Sequence, residues 1–237
     1  MVNLKSTFER VVCINLDRRP DRWEEFQREW ARVEGCFGEL ERVRAVDGEK
    51  VPPPEWYRGN RGAWGCLQSH VRILEDALQD GRQSVLILED DAVFIAGFVR
   101  LAEAFFEQLP DDWDGVMLGG QHLKSPTVVT EDIVRVTNGN RTHAHALRGR
   151  YIEKVYRYLQ EYQRYAQVRS QHVDHRLGEL HESGEYNIYA PAAWLVGQRE
   201  GRSDISNRRV RTRYWHGTEG SELGNMASDS NARGCCE

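Results

Sequence analysis

The sequence predicts an α/β fold in which a mostly parallel sheet is flanked by helices. Short apolar runs that are typical of buried strands alternate with longer segments of helical periodicity, which is the pattern of strand–helix–strand units. The chain has 237 residues, of which 40% are hydrophobic and 29% are charged, so it can bury a substantial core. This length fits one large domain or two small ones.

Each element follows from a local pattern. Pro20 is suited to a first helical turn, and the stripe of Trp23, Phe26 and Trp30 has helical spacing and indicates core packing. Asp114 begins a strand that runs into a glycine loop, and Pro191 interrupts the last strand. The predicted strands are 10–16, 40–46, 85–88, 114–120 and 186–196; the predicted helices begin near 20 and 62 and cover 98–109, 151–168 and 173–180; residues 125–140 are expected to be irregular or a hairpin.

The most informative segment is an apolar strand that ends in three carboxylates. The run Val85 to Leu88 is followed directly by Glu89, Asp90 and Asp91. Adjacent like charges repel and are costly to desolvate, and a bound cation would relieve both effects. Carboxylate oxygens suit Mg²⁺ or Mn²⁺, and ligands of open α/β sheets bind beyond the carboxyl ends of strands. A solvated acidic turn is the alternative.

Composition excludes several classes of protein. The formal net charge is −5, so a general nucleic-acid footprint is absent, although a local basic patch remains open. No apolar run is long enough to span a bilayer, and the N-terminus lacks the apolar core of a signal peptide, which predicts a cytoplasmic protein. Cys13 and Cys66 are expected to be buried thiols, and the five cysteines show no zinc spacing.

Six short motifs follow one another in a fixed order, and together they resemble glycosyltransferase family 25. The resemblance covers residues 10–206, and the family includes lipooligosaccharide sugar transferases and collagen galactosyltransferases. One departure is His145, where the family more often has tyrosine. The motifs are Asn15 to Arg22, Gly65 to His70, Leu86 to Phe94, Thr142 to Leu147, His172 to Leu177 and Gln198 to Ile205.

The resemblance implies a GT-A fold, a nucleotide-sugar donor that is usually a UDP-sugar, and an Mn²⁺ or Mg²⁺ ion. It also implies transfer with inversion to an acceptor hydroxyl on a glycan, a lipid-linked sugar or a protein. We expect residues 1–218 to form the transferase domain. Residues 219–237 have no apolar periodicity and are expected to form a flexible tail.

The acid triplet supplies the first candidate metal ligands. Alternation along an extended segment would place Glu89 and Asp91 on one side, with Asp90 on the other and available to the ribose or to a water. Such an ion would bridge the two phosphates of the nucleotide-sugar donor and act as a Lewis acid. Either His145 or His216 is a candidate for completing the coordination shell of the metal ion.

Donor binding is expected from the first two motifs and from His143. Asn15 could hydrogen-bond a uracil or ribose, Leu16 belongs to the same motif, and the guanidinium groups of Arg18 and Arg22 suit phosphate. The alternative for the arginines is a surface network with the acids at 17, 21, 24 and 25.

The second motif and the histidine pair add further candidates. Ser69 and His70 are expected to open a helix, with Ser69 as a cap and His70 as a donor-site hydrogen bonder or a buried structural histidine. His143 and His145 alternate, so on a strand they would point the same way, toward the metal or the donor phosphates.

Inversion requires a base that accepts the proton of the acceptor hydroxyl. Asp174 is the first candidate, and its alternative role is a helix cap or an ion pair with Arg176. Asp204 is the second candidate, although a turn or cap explains it as well.

Two other functions remain open at this stage. The arginine-rich stretch 199–213, followed by Tyr214 and Trp215, could bind a DNA strand, and the acceptor would then be a hydroxymethylated base. A solvated basic surface or a patch for an anionic lipid acceptor explains the stretch equally well. A catalytically inactive nucleotide-sugar-binding module is the other alternative, and the intact acid triplet argues against it.

Overall fold

The structure is a computed structural model that describes residues 3–33, 36–162, 170–202, 204–205 and 209–210. Within these ranges a short 3-10 turn, Leu4–Ser6, precedes the first strand. The strands are β1 (Arg10–Asn15), β2 (Leu40–Arg44), β3 (Ser84–Glu89), β4 (Ala92–Phe94), β5 (Gly115–Lys124), β6 (Thr127–Val128), β7 (Ile133–Arg135), β8 (Asn138–Arg148), β9 (Ile188–Pro191), β10 (Val196–Gln198), β11 (Gly201–Arg202) and β12 (Arg209–Val210). The helices are α1 (Pro20–Ala31), α2 (Arg61–Gln79), α3 (Phe98–Gln108), α4 (Arg150–Leu159) and α5 (Val173–Glu182).

Eight of these strands form the main sheet, in the order β2-β1-β3-β8-β5-β9-β7-β6. Strands β2, β1 and β3 are mutually parallel, β8 runs antiparallel between β3 and β5, and β9 is parallel to β5. Strands β7 and β6 complete the edge as a hairpin. Six of the eight strands therefore share one direction, and only β8 and β7 run the other way. The predicted α/β fold with a mostly parallel sheet flanked by helices is confirmed.

Helices cover both faces of the sheet, and each face has its own apolar cluster. One cluster joins α2, α4 and α5 to the sheet, and the other joins α1 and α3 to the opposite face. Residues that are adjacent in β3 enter different clusters, since Ile87 belongs to the first and Leu88 to the second. This alternation is the pleat of a strand buried on both faces.

Local sequence signals set several helix boundaries. Helix α1 begins at Pro20, whose missing N–H needs no partner at that position. Helix α2 begins after Asn60, whose side chain accepts a hydrogen bond from the Ala63 N–H at 2.8 Å. Ser69 therefore lies inside α2, and the prediction that Ser69 and His70 open a helix is wrong.

Two other local predictions need correction. Gly119 and Gly120 belong to β5, which continues to Lys124, so the expected glycine loop is absent from this described strand. An alanine Cβ at Gly119 would lie 2.2 Å from the Val196 carbonyl oxygen, which shows why a strand residue here is glycine. The expected strand 186–196 is two strands, and β9 ends at Pro191.

No helix in the described part of the chain is long and apolar enough to cross a bilayer. Residues 211–237 lie outside the described residues, and so do His216 and the expected flexible tail. The boundary at residue 218 stays a prediction.

Candidate functional site

A cavity of about 360 Å³ opens at the carboxyl ends of β1 and β3. Its walls come from the loops after β1 and β2, the first half of α2, the turn after β3, the start of α5 and residues 204–205. This is the edge at which open α/β sheets bind ligands. All three acids of the triplet line it, together with Leu16, Arg18, Arg22, Ser69, Asp174 and Asp204.

Arg22 is the partner that Asp90 and Asp91 share. Its Nη2 lies 2.6 Å from Asp90 Oδ1 and 2.8 Å from Asp91 Oδ2, and its Nη1 lies 3.5 Å from Asp204. Only 14% of the Arg22 side chain is exposed. The guanidinium group of Arg22 thus offsets the negative charge of neighbouring aspartates that line the cavity.

Glu89 has different partners from the two aspartates. Its Oε1 accepts a hydrogen bond from Thr142 Oγ1 at 2.6 Å and lies 3.8 Å from His70 Nε2. Strand β3 ends at Glu89, so the regular alternation does not extend to Asp90 and Asp91, which lie in the turn. The alternation rule therefore does not fix the sides of these acids; Asp91 is the charged neighbour that acts most strongly on Glu89, and Asp90 and Asp91 share Arg22. That Glu89 and Asp91 act together as ligands stays a prediction.

Asn15 positions Asp90 and has no free amide group for a donor. Its Nδ2 donates to Asp90 Oδ2 at 2.6 Å and to the Arg19 carbonyl, and its Oδ1 accepts from Arg42. The side chain is 1% exposed. The expected contact of Asn15 with a uracil or ribose is thus replaced by support of the acid triplet.

The arginines after β1 pair mainly with acids that are distant in sequence. Arg18 and Arg19 each place a guanidinium nitrogen 2.5 Å from a different oxygen of Asp204. Arg18 also lies 3.4 Å from Asp47. Of the local network expected from the sequence, the acid at position 21 does pair with a neighbouring arginine, Arg19, at 2.8 Å. Asp204 therefore fixes the arginines at the rim of the cavity.

Burial and charge shift the pKa values of these groups in opposite directions. Burial raises the pKa of the Asp90 carboxyl to about 7, against the effect of the Arg22 charge. Burial also raises the pKa of Glu89, and the neighbouring Asp91 adds to this. The pKa of Arg22 is raised because the surrounding carboxylates outweigh its own burial, so the guanidinium stays charged. If the positive charge of Arg22 is removed, we therefore expect Glu89 and Asp90 to bind protons more readily.

Ser69 and His70 lie in the middle of α2 and differ in their roles. Ser69 Oγ donates to the Gly65 carbonyl at 2.7 Å and accepts from the Val46 N–H at 2.8 Å, so it joins the helix to the loop after β2. His70 is 1% exposed, and burial lowers its pKa to about 4. The ring is therefore a neutral imidazole.

His143 and His145 contact different halves of the core. A ring nitrogen of His143 lies 3.2 Å from the Val196 carbonyl oxygen, in β10, whereas the His145 ring stacks on His70 in α2 with centroids 5.3 Å apart. The β5–β8 ladder shifts register beside His145, and Arg141 has a φ of 77°. These irregularities break the alternation, so the expected common direction is wrong. Neither histidine lines the large cavity.

Asp174 lies at the cavity wall on the first turn of α5. Its Oδ1 accepts a hydrogen bond from the N–H of His175 at 2.9 Å. Arg176, which was its alternative partner, places Nη1 2.5 Å from Glu179 and is fully buried. A half-exposed carboxylate on the cavity wall is a suitable place for a general base.

The structure adds site residues that the sequence analysis missed. Thr142 orients Glu89, and Asp47 anchors Arg18. Cys66 lies close to His70 and Glu89, with one ligand atom of each within 4.8 Å of the others. The spacing of four between Cys66 and His70 places both on one face of a helix, and this signal was available in the sequence.

The fold and the cavity define an α/β protein whose candidate ligand site brings acids and arginines together at the carboxyl ends of strands. The sequence matches the model of glycosyltransferase family 25 (LPS biosynthesis protein) over residues 8–156, which is more than half of the chain. The chain belongs to glycosyltransferase family 25.

Relatives with curated names include enzymes and inactive proteins. The chain is 29% identical over 137 residues to procollagen galactosyltransferase 1 of Danio rerio, a match that covers 51% of this chain and 23% of the relative. It is 29% identical over 136 residues to inactive glycosyltransferase 25 family member 3 of Homo sapiens, covering 50% of this chain and 23% of the relative. The matched part is therefore about a quarter of each relative's length, and identity does not separate the two classes.

Solved structures give weaker likenesses. UDP-glucose pyrophosphorylase complexed with UDP-glucose has a TM-score of 0.46 at 8% identity, with 78% of this chain and 90% of that chain covered. A197 from STIV has a TM-score of 0.40 at 13% identity, with 88% and 96% covered. Likeness at this level carries no information about substrates.

Proposed function

We propose that this protein transfers a sugar from a nucleotide-sugar donor, with UDP as the nucleotide, to an acceptor hydroxyl with inversion and with the help of a divalent ion. The observation that carries the proposal is the cavity in which the acid triplet, Arg18 and Arg22 meet Asp174. Arginine and metal together can neutralise a diphosphate, and a carboxylate across the cavity can accept a proton. Membership of family 25 supports this reaction class.

The residues present fit a divalent ion at Asp91. Asp91 Oδ1 is buried and has no hydrogen-bond partner among the described residues. A carboxylate oxygen without a partner is a hard ligand that suits Mn²⁺ or Mg²⁺. The ion would supply positive charge to the donor diphosphate as the leaving group forms. We assign Asp91 as its first protein ligand, with Asp90 held beside it by Asn15 and Arg22.

Arg18 and Arg22 would bind the donor phosphates. Both line the cavity, and both are already fixed by carboxylates, so little side-chain entropy is lost on binding. Donor phosphates would then compete with Asp204 for Arg18, which lies 2.5 Å from it. His145 does not line this cavity and His216 lies outside the described residues, so we assign neither as a ligand.

The donor site is tested by titration calorimetry of UDP. We expect tight binding with Mn²⁺ and much weaker binding with EDTA, and Asp91→Ala should remove the difference. Asp80→Ala is the matched control, since Asp80 is an exposed acid at the end of α2 and lies outside the cavity. Equal affinity with Mn²⁺ and with EDTA in the unaltered protein would remove the metal from the proposal.

The base is tested separately by Asp174→Asn. This change keeps the shape of the side chain but removes the proton acceptor, so turnover should fall about 10²–10⁴-fold while UDP affinity stays the same. Turnover is followed as nucleotide release from a set of UDP-sugars. A normal rate would exclude Asp174 and make Asp204 the next candidate, although its three arginine partners favour a structural role.

The second candidate function is a nucleotide-sugar-binding module without catalysis. The similarity to inactive family members is the observation that favours it. Metal-dependent UDP binding without nucleotide release from any UDP-sugar, even with added glycan, lipid-linked sugar or protein acceptors, would support this alternative.

Nothing in the described residues supports a DNA acceptor. Arg199, the first residue of the basic stretch, lies 2.9 Å from Glu25 and donates to the Asp90 carbonyl, so its guanidinium is engaged within the protein. The later part of the stretch, Arg211 to Trp215, lies outside the described residues. A glycan, lipid-linked or protein hydroxyl remains our proposed acceptor, and the cytoplasmic location stays a prediction.

A further inference from the structure

Three side chains with different ligand atoms meet beside the acid triplet. Cys66 and His70 are four residues apart in α2 and so lie on one face of it, and Glu89 ends the neighbouring strand β3. One sulfur, one nitrogen and one oxygen from these side chains lie within 4.8 Å of one another. Two helix residues and one strand residue, all on rigid elements, thus form a compact cluster.

The cluster contains a buried polar atom with no hydrogen bond. His70 is 1% exposed, and among the described residues its Nε2 has no hydrogen-bond partner. Glu89 Oε1 is the oxygen that faces it, at 3.8 Å, which is beyond hydrogen-bond distance. Buried polar atoms in folded proteins almost always have a partner, so this nitrogen indicates a group that the described residues do not supply.

The spacing of the cluster suits a small tetrahedral ion. Bond lengths of about 2.0–2.3 Å place two ligand atoms of a tetrahedral zinc site roughly 3.3–3.6 Å apart. The distance of 3.8 Å between His70 Nε2 and Glu89 Oε1 is close to this, and small side-chain rotations would close the rest. Thr142 Oγ1 donates to Glu89 at 2.6 Å, which is the kind of outer contact that orients a carboxylate ligand.

We propose that Cys66, His70 and Glu89 bind a zinc-class divalent ion at a site separate from the ion of the donor diphosphate. Sulfur and imidazole ligands select zinc or cobalt, whereas Mg²⁺ and Mn²⁺ prefer oxygen alone. Three protein ligands would leave one tetrahedral position for a further ligand, and two of the three, Cys66 and Glu89, line the large cavity. An exchangeable ligand in the cavity can therefore reach the ion.

The protonation states agree with such a site. Burial lowers the pKa of His70, which leaves the neutral imidazole that metals bind. Burial raises the pKa of the Cys66 thiol, so metal binding has to release its proton. Affinity for the ion should consequently increase with pH.

Cobalt tests the site directly, because a thiolate bound to Co²⁺ gives a charge-transfer absorption band. The full chain is used with Cys235→Ser and Cys236→Ser, which removes the two adjacent cysteines near the end of the sequence. We expect one equivalent of Co²⁺ to produce the band and Zn²⁺ to abolish it. Cys66→Ala should remove the band, whereas Cys36→Ala, a matched buried cysteine in the opposite core cluster, should keep it.

Two variants keep the test decisive if Cys66→Ala does not fold. Thr142→Val should keep the band. It should weaken Co²⁺ binding about 10–100-fold, because it removes the hydrogen bond that orients Glu89. Glu89→Gln should keep the thiolate band but also weaken binding. The proposal is overturned if no band appears, if the band survives Cys66→Ala, or if Glu89→Gln binds Co²⁺ normally. The readout does not depend on sugar transfer, so it is independent of the proposed function.

Discussion

Arg22 balances the acids at the floor of the cavity, and replacing it with methionine should destabilise the fold measurably. The methionine keeps most of the volume but leaves Asp90 and Asp91 without the cation that lies 2.6 Å and 2.8 Å from them. The two side chains are 9% and 20% exposed, so water replaces the cation poorly. Removing one partner from a buried ion pair costs about 3–5 kcal/mol, and partial exposure reduces this to about 2–4 kcal/mol here.

Acidity should reduce this cost, and the sign follows from the shifted pKa. Asp90 already has a pKa of about 7 with Arg22 present, and losing the cation raises it further. At pH 6 the variant can protonate Asp90 and so relieve the repulsion between the carboxylates. At pH 8 the same protonation is harder, by about 1.4 kcal/mol for each unit by which the pH exceeds the pKa of the carboxyl. Destabilisation should therefore be larger at pH 8 than at pH 6.

Urea unfolding followed by circular dichroism measures both effects. Arg44→Met is the control, because Arg44 also pairs with an aspartate, at 2.7 Å, but 76% of its side chain is exposed, and water screens such a pair so that it contributes little to stability. Mn²⁺ with UDP should raise the melting temperature of Arg22→Met. Equal unfolding free energies for the two variants, or a cost that does not change with pH, would refute this account of the acid triplet.

Further expectations concern packing and pH. Gly65→Ala should cost about 1–3 kcal/mol in thermal or urea unfolding, because its Cβ would lie 2.3 Å from the Val46 carbonyl oxygen, whereas Gly201→Ala meets nothing within 4 Å and should be near neutral. Burial lowers the pKa of five histidines below 6.5 and raises that of Glu89 and Asp90, so between pH 6.5 and 4 the unfolded chain binds up to three more protons (five minus two) than the folded protein. Unfolding free energy should thus fall on acidification, and His181→Gln, which removes one of these histidines, should flatten the slope. A slope of opposite sign in urea titrations at several pH values would contradict this. The five histidines are His70, His122, His143, His145 and His181.

Much of the fold could be predicted from sequence because its signals are local. The apolar run before Glu89, the proline at the start of α1 and the periodicity of α5 each depend on neighbouring residues, and the structure confirms all three elements. The helix predicted to begin near residue 62 begins at Arg61, but its cap was misassigned, because Asn60, the true N-cap, lies nine residues before Ser69 and follows a proline-rich connector that gives no periodicity.

The site was harder to predict because its geometry depends on contacts across the chain. Sequence indicated many of the residues that line the cavity, including the acid triplet and Asp174. It did not show that the Asn15 amide would hydrogen-bond Asp90 or that Arg22 would join two of the three acids. The different contacts of His143 and His145 follow from a register shift between β5 and β8, which no alternation rule anticipates. Pairing of this kind is set by tertiary structure.

The Asp204 ion pairs have a consequence for how the protein is made. Arg18 and Arg19 meet this aspartate across 186 and 185 positions of sequence, so the rim of the cavity joins the first part of the chain to a much later one. A ribosome that adds about 5–20 residues per second needs roughly 10–40 s between the two. During that interval the arginines have emerged without their distant partner, and the sheet strands around them can pair first. A nascent chain can therefore pair its early strands before the rim of its ligand site is complete, and the cavity has all its ion pairs only after Asp204 has been synthesised.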